Sequence, residues 1–181
     1  MTEKDNAEYG RCDVLSGQEC PFCRKKTLTL AEKEMEIPFF GKVFLFSMTC
    51  DSCKYRKADL EAEKPSEPCK WTFEVATKED LNARIVKSAD ALLKIPHVGS
   101  IEPGPDAEGY VTNVEGILTR FKQQIESLKE SEEDEGAKKK AKNMLKKIQR
   151  VLWGQEPVKI ILEDKTGNSA IISDKAQKTK L

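Results

Sequence analysis

Cys20-Pro-Phe-Cys23 and Cys50-Asp-Ser-Cys53 each place two thiols on one tight turn, a spacing at which both sulfurs can ligate the same ion. Four thiolates complete a tetrahedral shell around zinc, with bonds of about 2.3 Å. A filled shell has no open position for water or substrate, so the expected ion is a single structural Zn2+ that ties chain segments together. The 26 residues between the pairs exceed the ~15–20 of the commonest two-pair pattern, and the surplus fits a longer hairpin in a zinc ribbon. The competing assignment is a redox Cys-x-x-Cys, which works as one pair in a βαβ setting. Here two pairs lie among short strands, which favours metal. Cys12 and Cys69 fall outside the pairs and read as ordinary thiols.

Little else in the chain could do covalent chemistry. His97 is the only histidine, which removes most His-based acid–base and triad schemes. No Gly-rich phosphate loop or Ser nucleophile elbow is present in the sequence. The expectation is a binding protein, not an enzyme, with no small-molecule substrate.

Across 181 residues, 31 Lys and Arg balance 31 Asp and Glu, so any attraction to nucleic acid must be local. The cation-rich segment Lys138, Lys139, Lys140, Lys142, Lys146, Lys147 and Arg150 is the local candidate for phosphate contact. Its alternative is a solvated helix face balanced by the acidic turn before it. Phe39, Phe40, Phe44 and Phe46 could stack RNA bases, but such residues more often fill a ribbon core. The charged first ten residues contain no apolar leader region, and no apolar run reaches the ~20 residues of a membrane span. A soluble, cytoplasmic protein with reduced thiols is expected.

The elements that must position the cysteines follow from pattern. Residues 1–19 read as a flexible lead-in, and 20–64 as a zinc ribbon of short strands with the cysteines at its turns. Lys64-Pro65-Ser66-Glu67-Pro68 reads as a linker. A β domain is expected over 65–174, beginning with the alternating strand Trp71-Thr-Phe-Glu-Val75. Residues 80–94 read as strands after one short helical turn, and 96–110 as an ordered loop system rich in Pro and Gly. Thr112-x-x-Glu115 has the form of a capping box. A helical hairpin over about 112–152 follows, with Ile117, Leu118, Phe121 and Ile125 on one stripe and Met144, Leu145, Ile148 and Leu152 on the next. Strands return at 158–162 and 170–173, and 175–181 reads as a disordered tail. The fold class is therefore α+β, mainly β.

Several motifs, in order along the chain, carry a resemblance. They are Cys20-Pro-x-Cys23, Ile37-Pro38-x-Phe40, Ser47-Met-x-Cys50-x-x-Cys53-x-Tyr55, and Asp80-Leu81 followed by Arg84-x-Val86-Lys87-Ser88. Gly109, Thr112-x-Val114-Glu115-Gly116 and Leu162-x-Asp164-x-x-Gly167-Asn168-Ser169 complete the set. The chain resembles the ZPR-type zinc-finger proteins in their short, single-module archaeal form. The resemblance implies a zinc ribbon followed by a double-stranded β-helix-like domain with an inserted helical hairpin. It also implies an adaptor or chaperone-like protein that binds the translation elongation GTPase which delivers aminoacyl-tRNA. An RNA- or ribosome-binding zinc ribbon is the alternative. Arg84, Lys87, Ser88, Asn168 and Ser169 fall in these motifs and are the expected partner contacts. Lys54 stands where the family pattern has glycine.

Overall fold

The structure, a computed structural model, describes residues 12–38, 40–64, 67–104 and 107–181. Residues 1–11 of the expected lead-in, Phe39, Pro65 and Ser66 of the linker, and Pro105 lie outside these. Four strands, β1 (Cys12–Gln18), β2 (Leu28–Ile37), β3 (Gly41–Cys50) and β4 (Arg56–Ala62), pair antiparallel in sequence order to form the first module. Alternation of side chains turns one face of this sheet inward. Ile37, Val43 and Leu60 on that face are buried together with Val86 of the second module.

The second module contains β5 (Cys69–Val75), a 3-10 turn (Glu79–Asn82), β6 (Arg84–Lys87), β7 (Leu92–Ile95), β8 (Gly99–Ile101) and β9 (Tyr110–Asn113). Helices α1 (Val114–Ser131) and α2 (Glu135–Leu152) follow, then β10 (Val158–Asp164), β11 (Ala170–Ile172) and β12 (Gln177–Lys180). Its strands form a five-stranded sheet, β12-β5-β10-β7-β8, and a three-stranded sheet, β11-β6-β9. Phe73, Leu93, Ile160 and Leu162 of the larger sheet pack with Ile85 and Ile171 of the smaller one and with Phe121 and Ile148 of the helices. Neighbours on β6 point to opposite faces: Ile85 enters this core, and Val86 enters the contact with the first module. The smaller sheet thus separates two layers of apolar packing.

The helical hairpin is present as the periodicity predicts, but its cap is not Thr112. Thr112 is held in the β-ladder opposite Ile85, so the helix cannot begin until Val114. Asn113, in extended conformation, caps it by accepting a hydrogen bond from Gly116 N at 2.8 Å. Asp134 caps α2 in the same way, through Ala137 N. The expected loop at 96–110 contains a short strand, β8, because Val98 N donates to Ile95 O and closes a tight β7–β8 turn. His97 occupies the left-handed region there, with φ 65°, which gives the single histidine a role in the turn.

Both chain ends differ from expectation. β1 lies within the supposed lead-in, pairs with β2, and bulges where Gly17 has φ 75°. β12 lies within the supposed disordered tail and pairs with β5. All residues of both strands are exposed, so no buried alternation marks them in the sequence. A tail docked this way is anchored by Lys175, whose ammonium donates to the buried Asp80 carboxylate at 2.7 Å. Burial raises the Asp80 pKa, but Lys175 and the Ala76 and Thr77 N–H groups outweigh it and hold the group at about 2.

Candidate metal centre and the seam beside it

The two cysteine turns are built alike. Cys20 O accepts from Arg24 N at 2.9 Å and Cys50 O from Lys54 N at 3.0 Å, while Cys20 N donates to Lys25 O and Cys50 N to Tyr55 O. Each turn therefore reverses the chain immediately after its second sulfur. The residues there, Arg24 and Lys54, have φ of 60° and 62°, in the left-handed region that glycine adopts most readily. This is the physical content of the glycine that the family pattern expects at Lys54.

These turns bring Cys20, Cys23, Cys50 and Cys53 together, with all four sulfurs within 4.8 Å of one another. Cys20 Sγ lies 3.7 Å from Cys53 Sγ, and Cys23 Sγ 3.7 Å from Cys50 Sγ. A tetrahedron with bonds of about 2.3 Å has edges of about 3.8 Å, so the spacing suits zinc. The Cys53 backbone N–H and the Thr27 hydroxyl, 3.3 Å from the sulfur, hold the Cys50 thiol down to about 6. The Tyr55 backbone N–H pulls Cys53 down, but burial and the neighbouring cysteines outweigh it and push that thiol up to about 11. Such a set ionises fully only when a cation shares the charge. Leu28, buried beside Cys20 and Cys50, closes the apolar side of the site.

The expected partner residues sit elsewhere, and most are not on the surface. Lys87, Ser88 and Ser169 are buried, which corrects their assignment as contacts for a partner. Ser88 and Ser169 meet the buried Asp164, a member of the Leu162-to-Ser169 motif that was not among the expected partner contacts. Asp164 accepts from the Ser88 hydroxyl at 2.8 Å, from the Ser169 hydroxyl, and from Thr166 N and Oγ1 at 2.7 Å. Burial raises the Asp164 pKa, and these hydroxyls bring it below the ordinary carboxylate value. Ser169 O accepts from Trp71 Nε1 at 3.0 Å.

Lys87 donates to Ser88 O at 3.0 Å, and its ammonium lies 5.6 Å from the Tyr110 ring, which Arg120 also faces at 4.1 Å. Burial lowers the Lys87 pKa, opposed by the charges of Asp164, Asp59 and Asp90.

This polar group continues into a seam between the modules. Asp59 of β4 accepts from Ala89 N at 3.0 Å, Asn168 Oδ1 accepts from Ala62 N at 3.3 Å, and Gly109 N donates to Ala58 O at 3.0 Å. A Cβ on Gly109 would come within 2.8 Å of Leu60 N, so only glycine lets β4 approach this closely. Of the five expected contacts, Arg84 alone is exposed, and Asn168 is partly so. Charged and hydroxyl side chains in a motif read as surface in a sequence; four such residues clustered in two motifs 76 residues apart, Ser88 to Asp164, could equally have marked a shared buried network.

A four-thiolate ribbon fused to a jelly roll with a helical hairpin defines a zinc-finger protein whose metal is structural. One region of the chain, residues 13–66, matches the ZPR1 zinc-finger domain, and another, residues 79–181, matches the ZPR1 jelly-roll domain. The chain belongs to the ZPR1 family and holds one structural zinc ion on Cys20, Cys23, Cys50 and Cys53.

A ZPR1-like protein of Methanocaldococcus jannaschii is 38% identical over 158 residues, covering 86% of this chain and 80% of that one. A ZPR1-like protein of Pyrococcus horikoshii is 36% identical over 168 residues, covering 90% and 75%. The zinc finger chaperone of Schizosaccharomyces pombe is 34% identical over 144 residues, covering 75% of this chain but 30% of its own length. The ribbon match begins at residue 13, in agreement with β1 as part of that module. No helix among the described residues is long and apolar enough to cross a membrane.

Proposed function

We propose that this protein is a zinc-dependent adaptor of chaperone type that binds a translation elongation GTPase. The supporting observation is the closed metal site beside a fixed seam. Four thiolates fill the coordination shell, and the polar network holds ribbon and jelly roll in one relative arrangement, so the zinc shapes a binding surface instead of presenting a reactive atom. The name of the fission-yeast relative, a zinc finger chaperone, supports the same role. The exposed Arg84 is retained as a contact residue.

The test is direct binding of the zinc-loaded protein to the elongation GTPase in its GDP, GTP and nucleotide-free forms. Binding that favours one form and disappears on chelation supports the proposal; no binding in any form overturns it. RNA binding through α2 is the second reading, favoured by the exposed Lys139, Lys140, Lys142 and Lys146. It requires an RNA affinity that falls steeply with salt and flattens when those lysines are neutralised.

A further inference from the structure

The two faces of the ribbon sheet are unlike. One is buried through Ile37, Val43 and Leu60; the other presents Phe44 and Phe46 along β3 and, next to them, the partly buried Met48, which packs with Leu30 against the metal-site cluster. Phe46 is 37% exposed, and Phe44, partly exposed, belongs to none of the buried apolar clusters. The register places Leu30 of β2 opposite Met48, Glu32 opposite Phe46 and Glu34 opposite Phe44, while Glu61 of β4 flanks Phe44 from the other side. Directly opposed residues share a face, so Glu32 and Glu34 line one side of the apolar ridge, and Glu61, Asp59 and Lys57 line the other, with Asp59 already accepting from Ala89 N in the seam. Lys42 at the end of the ridge pairs with Glu34 and Glu63. Glu32 and Glu61 make no ion pair among the described residues.

We propose that this open face docks an amphipathic helix of a protein partner whose apolar stripe is flanked by lysine or arginine. This rests on the protein-binding reading above and adds the surface and the chemistry of the segment it takes. The dimensions agree. Strands β2, β3 and β4 span two inter-strand spacings, about 10 Å, and a helix is about 10–12 Å across. The ridge from residue 44 to 48 is about 13 Å long, between two and three helical turns. A helix laid along β3 covers the ridge with residues at i, i+3 or i+4, and i+7, and its flanking cations meet Glu32 and Glu61. Phosphates would face the same carboxylates and be repelled, which separates this surface from a nucleic-acid site. The chain's own basic helix α2 cannot serve as occupant, because Met144, Leu145 and Ile148 are already packed on the jelly-roll core.

The experiment titrates the full zinc-loaded chain with an 18-residue Leu/Lys amphipathic helical peptide, and separately with its Leu/Glu counterpart. The Leu/Lys peptide is expected to bind at least tenfold more tightly. The doubly reversed variant Glu32→Lys/Glu61→Lys, and separately Phe46→Ser, should each lose tenfold or more, with zinc content and melting unchanged as the check on folding. Equal affinity for the two peptides, or wild-type affinity in both variants, overturns the proposal. The same variants are then tested against the GTPase. A GTPase that binds wild type and variants alike removes this face as its docking site and leaves the proposed function intact. Failure of wild type to bind the GTPase counts against the proposed function alone.

Discussion

The ribbon and the jelly roll reach order by different means. At its metal end the ribbon buries Cys20, Leu28 and Cys50, and two of those three are ligands. Its other buried cluster is completed by Val86 of the jelly roll. The jelly roll closes around Phe73, Ile85, Phe121, Ile148 and Ile160 from both sheets and both helices, a core that depends on no ligand. A small β element can therefore manage with little hydrocarbon burial of its own if an ion and a neighbour supply the rest of the order, and it then inherits their vulnerabilities.

Zinc removal sharpens that contrast most. Chelation should unfold the ribbon while the helical hairpin persists, because structural zinc contributes folding free energy directly. Circular dichroism should show the helix signal retained, with amide exchange accelerated in β2 and β3. A single cooperative loss of both modules would mean that the seam, not the metal, sets ribbon stability.

The converse substitution is Phe73→Ala, at a fully buried side chain of the larger sheet. It should cost about 3–5 kcal/mol in denaturant unfolding of the jelly roll, with zinc content still one per chain.

A smaller effect is expected from Asp80→Asn, which breaks the anchor between the 3-10 turn and Lys175. The folded pKa of about 2 lies below the ordinary 3.8. The carboxylate therefore stabilises the fold fully above about pH 4, and that contribution disappears as pH falls through 2. The variant should lose roughly 1 kcal/mol at neutral pH after screening, and its acid denaturation curve should merge with that of wild type near pH 2.

The smallest effect should come from the ribbon backbone. Lys54→Gly relieves a left-handed lysine, worth about 1–2 kcal/mol, and gives back about 0.5–1 kcal/mol through the freer unfolded chain. A net gain of about 0.5 kcal/mol should appear as slower zinc loss to a chelator.

The legibility of the sequence divides along similar lines. The cysteine turns, the helical hairpin and the strands expected at 158–162 and 170–173, which form as β10 and β11, were readable because chemistry or burial leaves a period. β1 and β12 were not, since strands exposed along their whole length carry no alternation. Lys-rich β12 even has the composition by which edge strands avoid further pairing, which looks like a solvated tail. Lys87, Ser88 and Ser169 were misplaced for the opposite reason. Their polarity pointed to solvent, and only three-dimensional proximity to Asp164, Asp59 and Tyr110 shows how a buried lysine and two hydroxyls are satisfied. Thr112 illustrates competition between elements: its capping pattern was sound locally, and the β9 ladder claimed the residue first.

The strands at the two described ends have a mechanical consequence. Among the described residues, the outermost pair of β1 is Cys12 with Lys33, and that of β12 is Lys180 with Cys69. Tension on either end therefore loads one ladder pair at a time, in the manner of a zip; behind β1 the chain runs straight into the metal ligands Cys20 and Cys23, and behind β12 it passes β11 and β10 before the helical hairpin. Pulled from both ends, the molecule should shed its outer strands at low force and then resist.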